Sequence, residues 1–286
     1  MRNSTMNCAT GSRVETFPGA MPEARLDVVL AERGLARSRT HAASLIADGL
    51  VTVDGVAVVR PSAKVGDDQV VAVAASDHYV SRGAHKLIAA LDAFDVPVRD
   101  RVAMDVGAST GGFSQVLLER GARQVIALDV GHGQLAPILA AEQRLVSREG
   151  VNARNLTREL LDGLVGAELH PTLVVADLSF ISLTTVLPAL VATAEDGADF
   201  VLLVKPQFEV GRTGIREGIV RSAGLRADAV TGVLWAAHDL GIGTAGVIPS
   251  PIAGSQGNHE YLAWLSARVG RNPTEWLDQI TAMVGA

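Results

Sequence analysis

The residues best placed to do chemistry lie at the ends of apolar runs. The first run leads into Asp105-Val106-Gly107-Ala108-Ser109-Thr110-Gly111-Gly112-Phe113. A glycine-rich turn of this kind lets a ligand approach the backbone at the start of a helix. Three ligands compete for it. A phosphate-binding loop would end in Gly-Lys-Ser/Thr, and the lysine is absent. A dinucleotide fold would need Gly-x-Gly-x-x-Gly, and Ser109 stands where the second glycine belongs. The acid ahead of the first glycine, Asp105, suits a cationic amino-acid group instead. Asp129 ends the next apolar run and can accept hydrogen bonds from ribose hydroxyls. S-adenosylmethionine has both features, so the expected donor-binding set is Asp105, Gly107, Ser109, Thr110, Gly111, Gly112, Phe113 and Asp129.

Two further runs deliver charges of opposite sign. Leu173-Val174-Val175-Ala176 ends in Asp177, and Phe200-Val201-Leu202-Leu203-Val204 ends in Lys205. A lysine directly after a wholly apolar strand faces a large desolvation cost unless an acid is near. Such a pair beside a methyl-donor turn points to catalysis, with the partly desolvated amine as a general base.

These runs belong to an alternating pattern. Strands are expected at 102–106, 125–129, 145–147, 173–176 and 200–204, then at 245–248 and 261–265, with helices between them at 113–120, 183–194 and 223–240. Apolar strands separated by helices make an α/β fold, a Rossmann-like, mostly parallel seven-stranded sheet covered on both faces. Ligands in such sheets sit at the carboxyl ends of the strands, where these residues lie.

The segment ahead of this pattern has a different character. Leu26, Val29 and Leu30 share one helical face, Ser38 caps a second helix carrying Ala42, Leu45 and Ile46, and Asp54-Gly55 joins two valine-rich strands as a tight hairpin turn. A further strand is expected at 69–73. Six basic and six acidic residues cancel over 25–73, yet Arg33, Arg37 and Arg39 gather at the turn into the second helix. On charge alone, a solvated helix face and an anion-binding surface are equal readings. The expected domains are a disordered extension over 1–24, with Met21 as an alternative start, a small α+β domain over 25–76, a linker over 77–82, the α/β domain over 83–270 and a C-terminal helix over 271–286.

Composition sets the limits. The chain has 286 residues, of which 48% are hydrophobic and 20% charged, enough to bury a sizeable core. A single cysteine, Cys8, excludes an internal disulfide framework and a cysteine-based zinc site, and the seven histidines form no metal-ligand spacing, so no metal is expected. No stretch reaches the roughly 18 apolar residues of a membrane span, and the first residues lack a signal-peptide core, which makes the cytoplasm the expected location. The net charge of −6 requires any nucleic-acid surface to be a local basic patch.

The run Arg25-Leu26-Asp27, Leu35-Ala36-Arg37-Ser38-Arg39, Ala42-Ala43, Ile46 and Gly49-Leu50-Val51-Thr52-Val53-Asp54-Gly55 resembles the S-four-type (alpha-L) RNA-binding domain. That resemblance implies that Arg37 and Arg39 contact an RNA backbone, and Arg33 and Arg82 join them as expected RNA-binding residues. Further motifs are Val80-Ser81-Arg82-Gly83, Asp177-Leu178-Ser179-Phe180-Ile181-Ser182-Leu183, Val204-Lys205-Pro206-Gln207-Phe208-Glu209 and Gly257-Asn258-His259-Glu260-Tyr261. With the glycine turn, these resemble the TlyA family, whose catalytic half is similar to the FtsJ-type ribose methyltransferases. The resemblance implies a catalytic tetrad of Lys86, Asp177, Lys205 and Glu260, of which spacing alone gives no reason to choose Lys86 or Glu260. It also implies methyl transfer from S-adenosylmethionine to a cytidine 2′-hydroxyl in 16S or 23S ribosomal RNA, on free RNA or on a subunit. Lys205 would be the base, with Asp177 and Glu260 orienting it and Lys86 holding the hydroxyl or a phosphate. The donor's own positive charge is consumed in the step, so the chemistry calls for no metal.

The linker reads Asp77-His78-Tyr79-Val80 where some relatives carry Arg-x-Trp, and His78 and Tyr79 either stack on a base or pack the junction. The loop from Gly211 to Arg221, with three glycines and three arginines, is either a mobile lid or a solvated turn. Two other functions compete: a membrane-active haemolysin, a name carried by relatives, and an inactive RNA-binding protein. The chain lacks the basic amphipathic helix needed for the first and keeps the residues whose loss would define the second.

Overall fold

The computed structural model describes residues 23–36, 38–47, 49–73, 78–211, 214–215, 217–254 and 257–285. The extension therefore lies outside the described residues up to residue 22, as do Arg37 and residues 74–77 of the segment joining the two parts of the chain.

The first part is built from β1 (Ala24–Arg25), α1 (Leu26–Glu32), α2 (Arg39–Ala47), β2 (Val51–Val53), β3 (Val56–Ala57), β4 (Lys64–Val65) and β5 (Val71–Val73). Leu26 and Leu30 of α1 pack on Ala42 and Ile46 of α2, all fully buried. The backbone N–H of His41 donates to Ser38 Oγ at 3.1 Å, so serine caps the second helix as its position suggests. Asp54 and Gly55 both have positive φ, 50° and 80°, which is the hairpin turn the sequence calls for. The last strand is shorter than the expected 69–73. Gln69 and Val70 are diverted to the Asp54 carboxylate, which accepts from Gln69 Nε2 at 2.7 Å and Val70 N–H at 2.9 Å. Ala24 belongs to a short pair, Ala24 opposite Val65, that the sequence pattern is too brief to reveal.

The second part runs α3 (Gly83–Phe94), β6 (Val102–Val106), α4 (Gly112–Glu119), β7 (Gln124–Asp129), α5 (Pro137–Ala140), β8 (Leu145–Glu149), α6 (Arg158–Val165), β9 (Leu173–Ala176), α7 (Leu183–Thr193), β10 (Asp199–Val204), α8 (Pro206–Glu209), α9 (Ala223–Asp239), β11 (Gly243–Pro249), β12 (Tyr261–Ser266) and α10 (Leu277–Val284). One seven-stranded sheet has the order β11-β12-β10-β9-β6-β7-β8. Strands β10, β9, β6, β7 and β8 are parallel, and β12 runs against both of its neighbours. Alternate residues of each central strand feed opposite cores. Ala103, Val175 and Val201 meet α3 and α4, while Met104, Val174 and Leu202 meet α7 and α9.

Strand order reverses between β6 and β9, so the segments after these two strands diverge and leave a crevice at their carboxyl ends. Tyr79 packs on the α3–α4 core and lies 5.6 Å, ring to ring, from His85, while His78 Nε2 is 2.9 Å from Glu119 of α4. Of this aromatic pair, Tyr79 is packed against the core and His78 is exposed.

Candidate active site

Each strand end brings a different group to the crevice. Gly107 has φ 82°, and a Cβ there would stand 2.7 Å from the Asp177 carbonyl. Only glycine lets the chain leaving β9 pass this close. Ser109 follows at φ 48°, a conformation serine seldom adopts, and its N–H donates to Asp129 Oδ2 at 2.7 Å. Asp129 Oδ1 accepts from Gly131 N–H at 2.7 Å, so one carboxylate fastens both of these turns.

Gly107, Ser109, Thr110, Gly112 and Phe113 line a first cleft of about 410 Å³, together with Lys86, Asp177, Lys205, Glu260 and Arg82. Asp129 lines an adjoining cleft of about 510 Å³ with Leu128, Val130, Asn152, Leu178 and Ile181. Gly107, Ser109, Asp177 and Ser179 border both. Two expected donor residues line neither. Gly111, at φ 95°, is covered by Leu135 and Leu139. Asp105 is fully buried, because strand alternation turns it with Ala103 towards α4, where its Oδ2 accepts from Ser114 Oγ at 2.7 Å. Burial pushes its carboxyl up to about 7 against the pull of the Ser114 hydrogen bonds, and Oδ1 has no hydrogen-bond partner among the described residues.

Lys86, Asp177, Lys205 and Glu260 come together as a chain of ion pairs. Lys86 Nζ lies 2.6 Å from Glu260 Oε2 and 3.9 Å from Asp177 Oδ2, and Lys205 Nζ lies 2.6 Å from Asp177 Oδ1. Asp177 thus bridges the two amines. Glu260 sits on Lys86 and not on Lys205, so the expectation that it orients Lys205 directly is replaced by one acting through Lys86. Val204 at the end of β10 pairs with Tyr261 at the start of β12, so Glu260 and Lys205 adjoin paired positions, yet it is Lys86, from the first turn of α3, that meets the Glu260 carboxylate. Gly254 makes room for Glu260, since a Cβ there would overlap its Oε1.

Sequence reasoning passed over several residues. Lys205 Nζ donates to Ser179 Oγ at 2.9 Å. Phe180 is 92% exposed at φ 65° and lies 5.3 Å, ring to ring, from Phe208. Glu209 at the end of α8 ties that segment to the start of α7, accepting from Ser182 Oγ at 2.5 Å and from Leu183 N–H at 2.8 Å. An exposed aromatic inside the Asp177 motif was the available signal for Phe180. The loop from Gly211 to Arg221 is pinned at one end, where Asn258 accepts from Val220 N–H and donates to the Gly218 carbonyl.

The expected RNA-binding arginines have separate environments. Arg33 donates to the carbonyls of Gly66, Asp67 and Gln69, which fixes the turn before β5. Arg39 lies 3.1 Å from the buried Asp27, whose other oxygen is 2.9 Å from Arg25. Arg82 lines the first cleft, and its Nη1 is buried with no hydrogen-bond partner among the described residues. Arg37 lies outside the described residues. Among these no group of three or more metal-ligating side chains gathers, and no helix is long and apolar enough to cross a membrane.

A parallel sheet with one reversed strand near its edge, a glycine turn after β6 and acids after β7 and β9 define a Rossmann-like methyltransferase domain, here preceded by a small α+β module. Residues 79–267 match the FtsJ-like methyltransferase family and residues 24–71 the S4 domain. The 16S/23S rRNA (cytidine-2′-O)-methyltransferase TlyA of Mycobacterium tuberculosis is 50% identical over 251 residues, 87% of this chain and 91% of that protein. Hemolysin A of Brachyspira hyodysenteriae is 37% identical over 84% of this chain and 98% of its own. A solved structure from Streptococcus thermophilus, also bearing a hemolysin name, superposes with a TM-score of 0.71 at 38% identity, covering 93% of this chain and 97% of that one. The chain belongs to the TlyA family.

Proposed function

We propose that the protein transfers a methyl group from S-adenosylmethionine to a cytidine 2′-hydroxyl of ribosomal RNA, 16S, 23S or both, with Lys205 taking the hydroxyl proton. The observation that carries this reading is the Lys86–Glu260 and Lys205–Asp177 chain at the junction of two adjoining clefts. The second cleft fits the donor's nucleoside. Apolar walls from Leu128, Val130, Leu178 and Ile181 flank the Asp129 carboxylate and the Asn152 amide. When bound, the donor supplies an electrophilic methyl whose carbon–sulfur electron pair leaves with the sulfur and cancels its charge.

The protein's own groups do the rest. A ribose hydroxyl is a poor nucleophile, so it must be held in line and lose its proton as it attacks. Asp177 holds the Lys205 amine, and the amine's lone pair accepts the 2′-hydroxyl proton. Glu260 holds Lys86, which lines the same cleft and donates to the attacking oxygen or an adjacent phosphate. Arg82, with its unsatisfied donor, suits a phosphate of the same strand. Phe180 and Phe208 offer stacking faces to an unstacked base. The S4 module brings RNA to this face through Arg37 and Arg39, with Arg33 supporting the fold of the module.

Mapping 2′-O-methyl marks on ribosomal RNA incubated with protein and donor tests the reading. Lys205→Ala is expected to abolish the marks while calorimetry still detects donor binding. Full methylation by that variant, or marks on a base instead of a ribose, would refute it.

A further inference from the structure

We propose that Ser179 is a positioning residue for the proton transfer, fixing the rotation of the Lys205 amine so that its remaining position faces the junction of the two clefts. This rests on the reading of Lys205 as base given above.

The argument starts from the valence of the amine. A neutral lysine Nζ carries two N–H groups and one lone pair in tetrahedral arrangement. Asp177 Oδ1 lies 2.6 Å from Nζ and Ser179 Oγ accepts from it at 2.9 Å. The Ser179 hydrogen bond fixes one N–H direction and with it the rotation about the Cε–Nζ bond, while the Asp177 carboxylate, held to the amine by charge and not by a hydrogen bond, draws the second N–H and repels the lone pair. The third position then holds the lone pair. With Asp177 alone the amine would be held by an ion pair that fixes no N–H direction, and the lone pair could turn away from the productive position.

The balance of the step agrees. The 2′-oxygen forms its bond to the methyl carbon as the carbon–sulfur bond breaks with its pair on sulfur. The hydroxyl proton passes to the Lys205 lone pair. The resulting ammonium has three N–H groups, of which one stays on Ser179, one remains on the side of the Asp177 charge and the third is the proton just taken. Neither group has to move.

The surroundings of Ser179 keep it in place. It borders both clefts, and it precedes Phe180, whose φ of 65° turns the chain sharply. Beyond that turn, Glu209 clamps Ser182 and Leu183 at the start of α7. The charged groups that face the amine are Asp177 directly, then Lys86 at 3.9 Å from the other Asp177 oxygen, and Glu260 behind Lys86. The Phe208 ring centroid is 6.0 Å from Nζ, too far to replace an acceptor. Ser179 is therefore the one uncharged acceptor on the amine among the described residues.

The test uses the full chain with Ser179→Ala and Ser179→Thr, which removes or keeps the hydroxyl. In single-turnover methylation of ribosomal RNA, Ser179→Ala should slow the chemical step about 10-fold to 100-fold. The affinities for donor and RNA should stay within about threefold, and Ser179→Thr should stay close to wild type. A second readout needs no turnover. In donor-free protein the Lys205 Nζ–H resonance, assigned as the one lost in Lys205→Arg, should exchange with water faster in Ser179→Ala and remain protected in Ser179→Thr.

A wild-type rate in Ser179→Ala overturns the proposal. So does a loss confined to donor affinity, an equal loss in Ser179→Thr, or unchanged exchange of the Lys205 protons. If Lys205→Ala itself retains activity, the assignment of the base fails and this inference with it. If Lys205→Ala is inactive and Ser179→Ala is not, only the role of Ser179 fails.

Discussion

At the scale of residues the site contrasts acids paired with amines with one acid that has no such partner. Lys86 and Glu260, and Lys205 and Asp177, each face a partner of the opposite kind within 2.6 Å, which offsets the cost of their burial. Asp105 has only Ser114, and burial pushes its carboxyl up to about 7. The sign of the consequence follows from proton linkage. Between the ordinary carboxylate value, about 4, and about 7, the folded protein binds a proton that the unfolded chain has lost. Stability therefore falls as pH rises through that window and levels off above it. Asp105→Asn keeps an oxygen for Ser114 and removes the ionisation. Its melting temperature is expected to gain on the wild type as pH rises from about 5 to 8, with the difference closing towards pH 4. Paired thermal melts across that range check this, and a difference independent of pH would show that Asp105 ionises freely in the fold.

At the scale of elements, glycines decide how closely segments approach. Gly254 is open only because the Glu260 carboxylate occupies its side-chain position. Gly254→Ala should displace Glu260, break its 2.6 Å pair with Lys86 and cost about 1–3 kcal/mol of stability, with at least a tenfold loss of methylation. Gly232, exposed in α9 with nothing within 4 Å of where a Cβ would stand, supplies the opposite sign. Gly232→Ala should stabilise the protein by about 0.5–1 kcal/mol without touching activity. Chemical denaturation and the methylation assay measure both. The elements themselves were largely legible in sequence. Apolar runs at 102–106 and 173–176 are strands with those same bounds, and the Asp177 and Lys205 strand ends meet as their desolvation cost requires. The reversal of β12 was not legible, since an apolar run reads alike in either direction. Lys86 and Glu260 stand 174 residues apart, and their pairing depends on α3 folding over the start of β12, so only resemblance chose them. Ser179 was hidden for another reason: a serine in a loop carries no signal until a lysine is found 2.9 Å away.

At the scale of the whole molecule, an acidic chain that acts on RNA needs a local basic patch, and in the one proposed here Asp27 lies between two of the arginines. Its carboxylate is 5% exposed and lies between Arg25 and Arg39, which are turned to solvent. The Arg25 hydrogen bond, with help from Arg39, lowers its carboxyl to about 2 despite burial. A depressed carboxylate contributes stability that is full above about pH 4 and is lost as pH falls towards 2. The same carboxylate cancels one of the two positive charges that an RNA backbone would meet. Stability of the module and attraction for RNA therefore oppose each other at this residue. Asp27→Asn should destabilise the module by about 1 kcal/mol at neutral pH, a modest figure because both arginines are screened by water. Hydrogen exchange of the α1 and α2 amides reads that loss, and the difference from wild type should shrink as pH falls below about 4. The same variant should bind ribosomal RNA several-fold more tightly at low salt, with a salt dependence steeper by up to about one counterion. Weaker binding by a folded Asp27→Asn protein would mean that Asp27 serves the RNA surface by holding Arg25 and Arg39 in place, and that their geometry outweighs the charge it cancels.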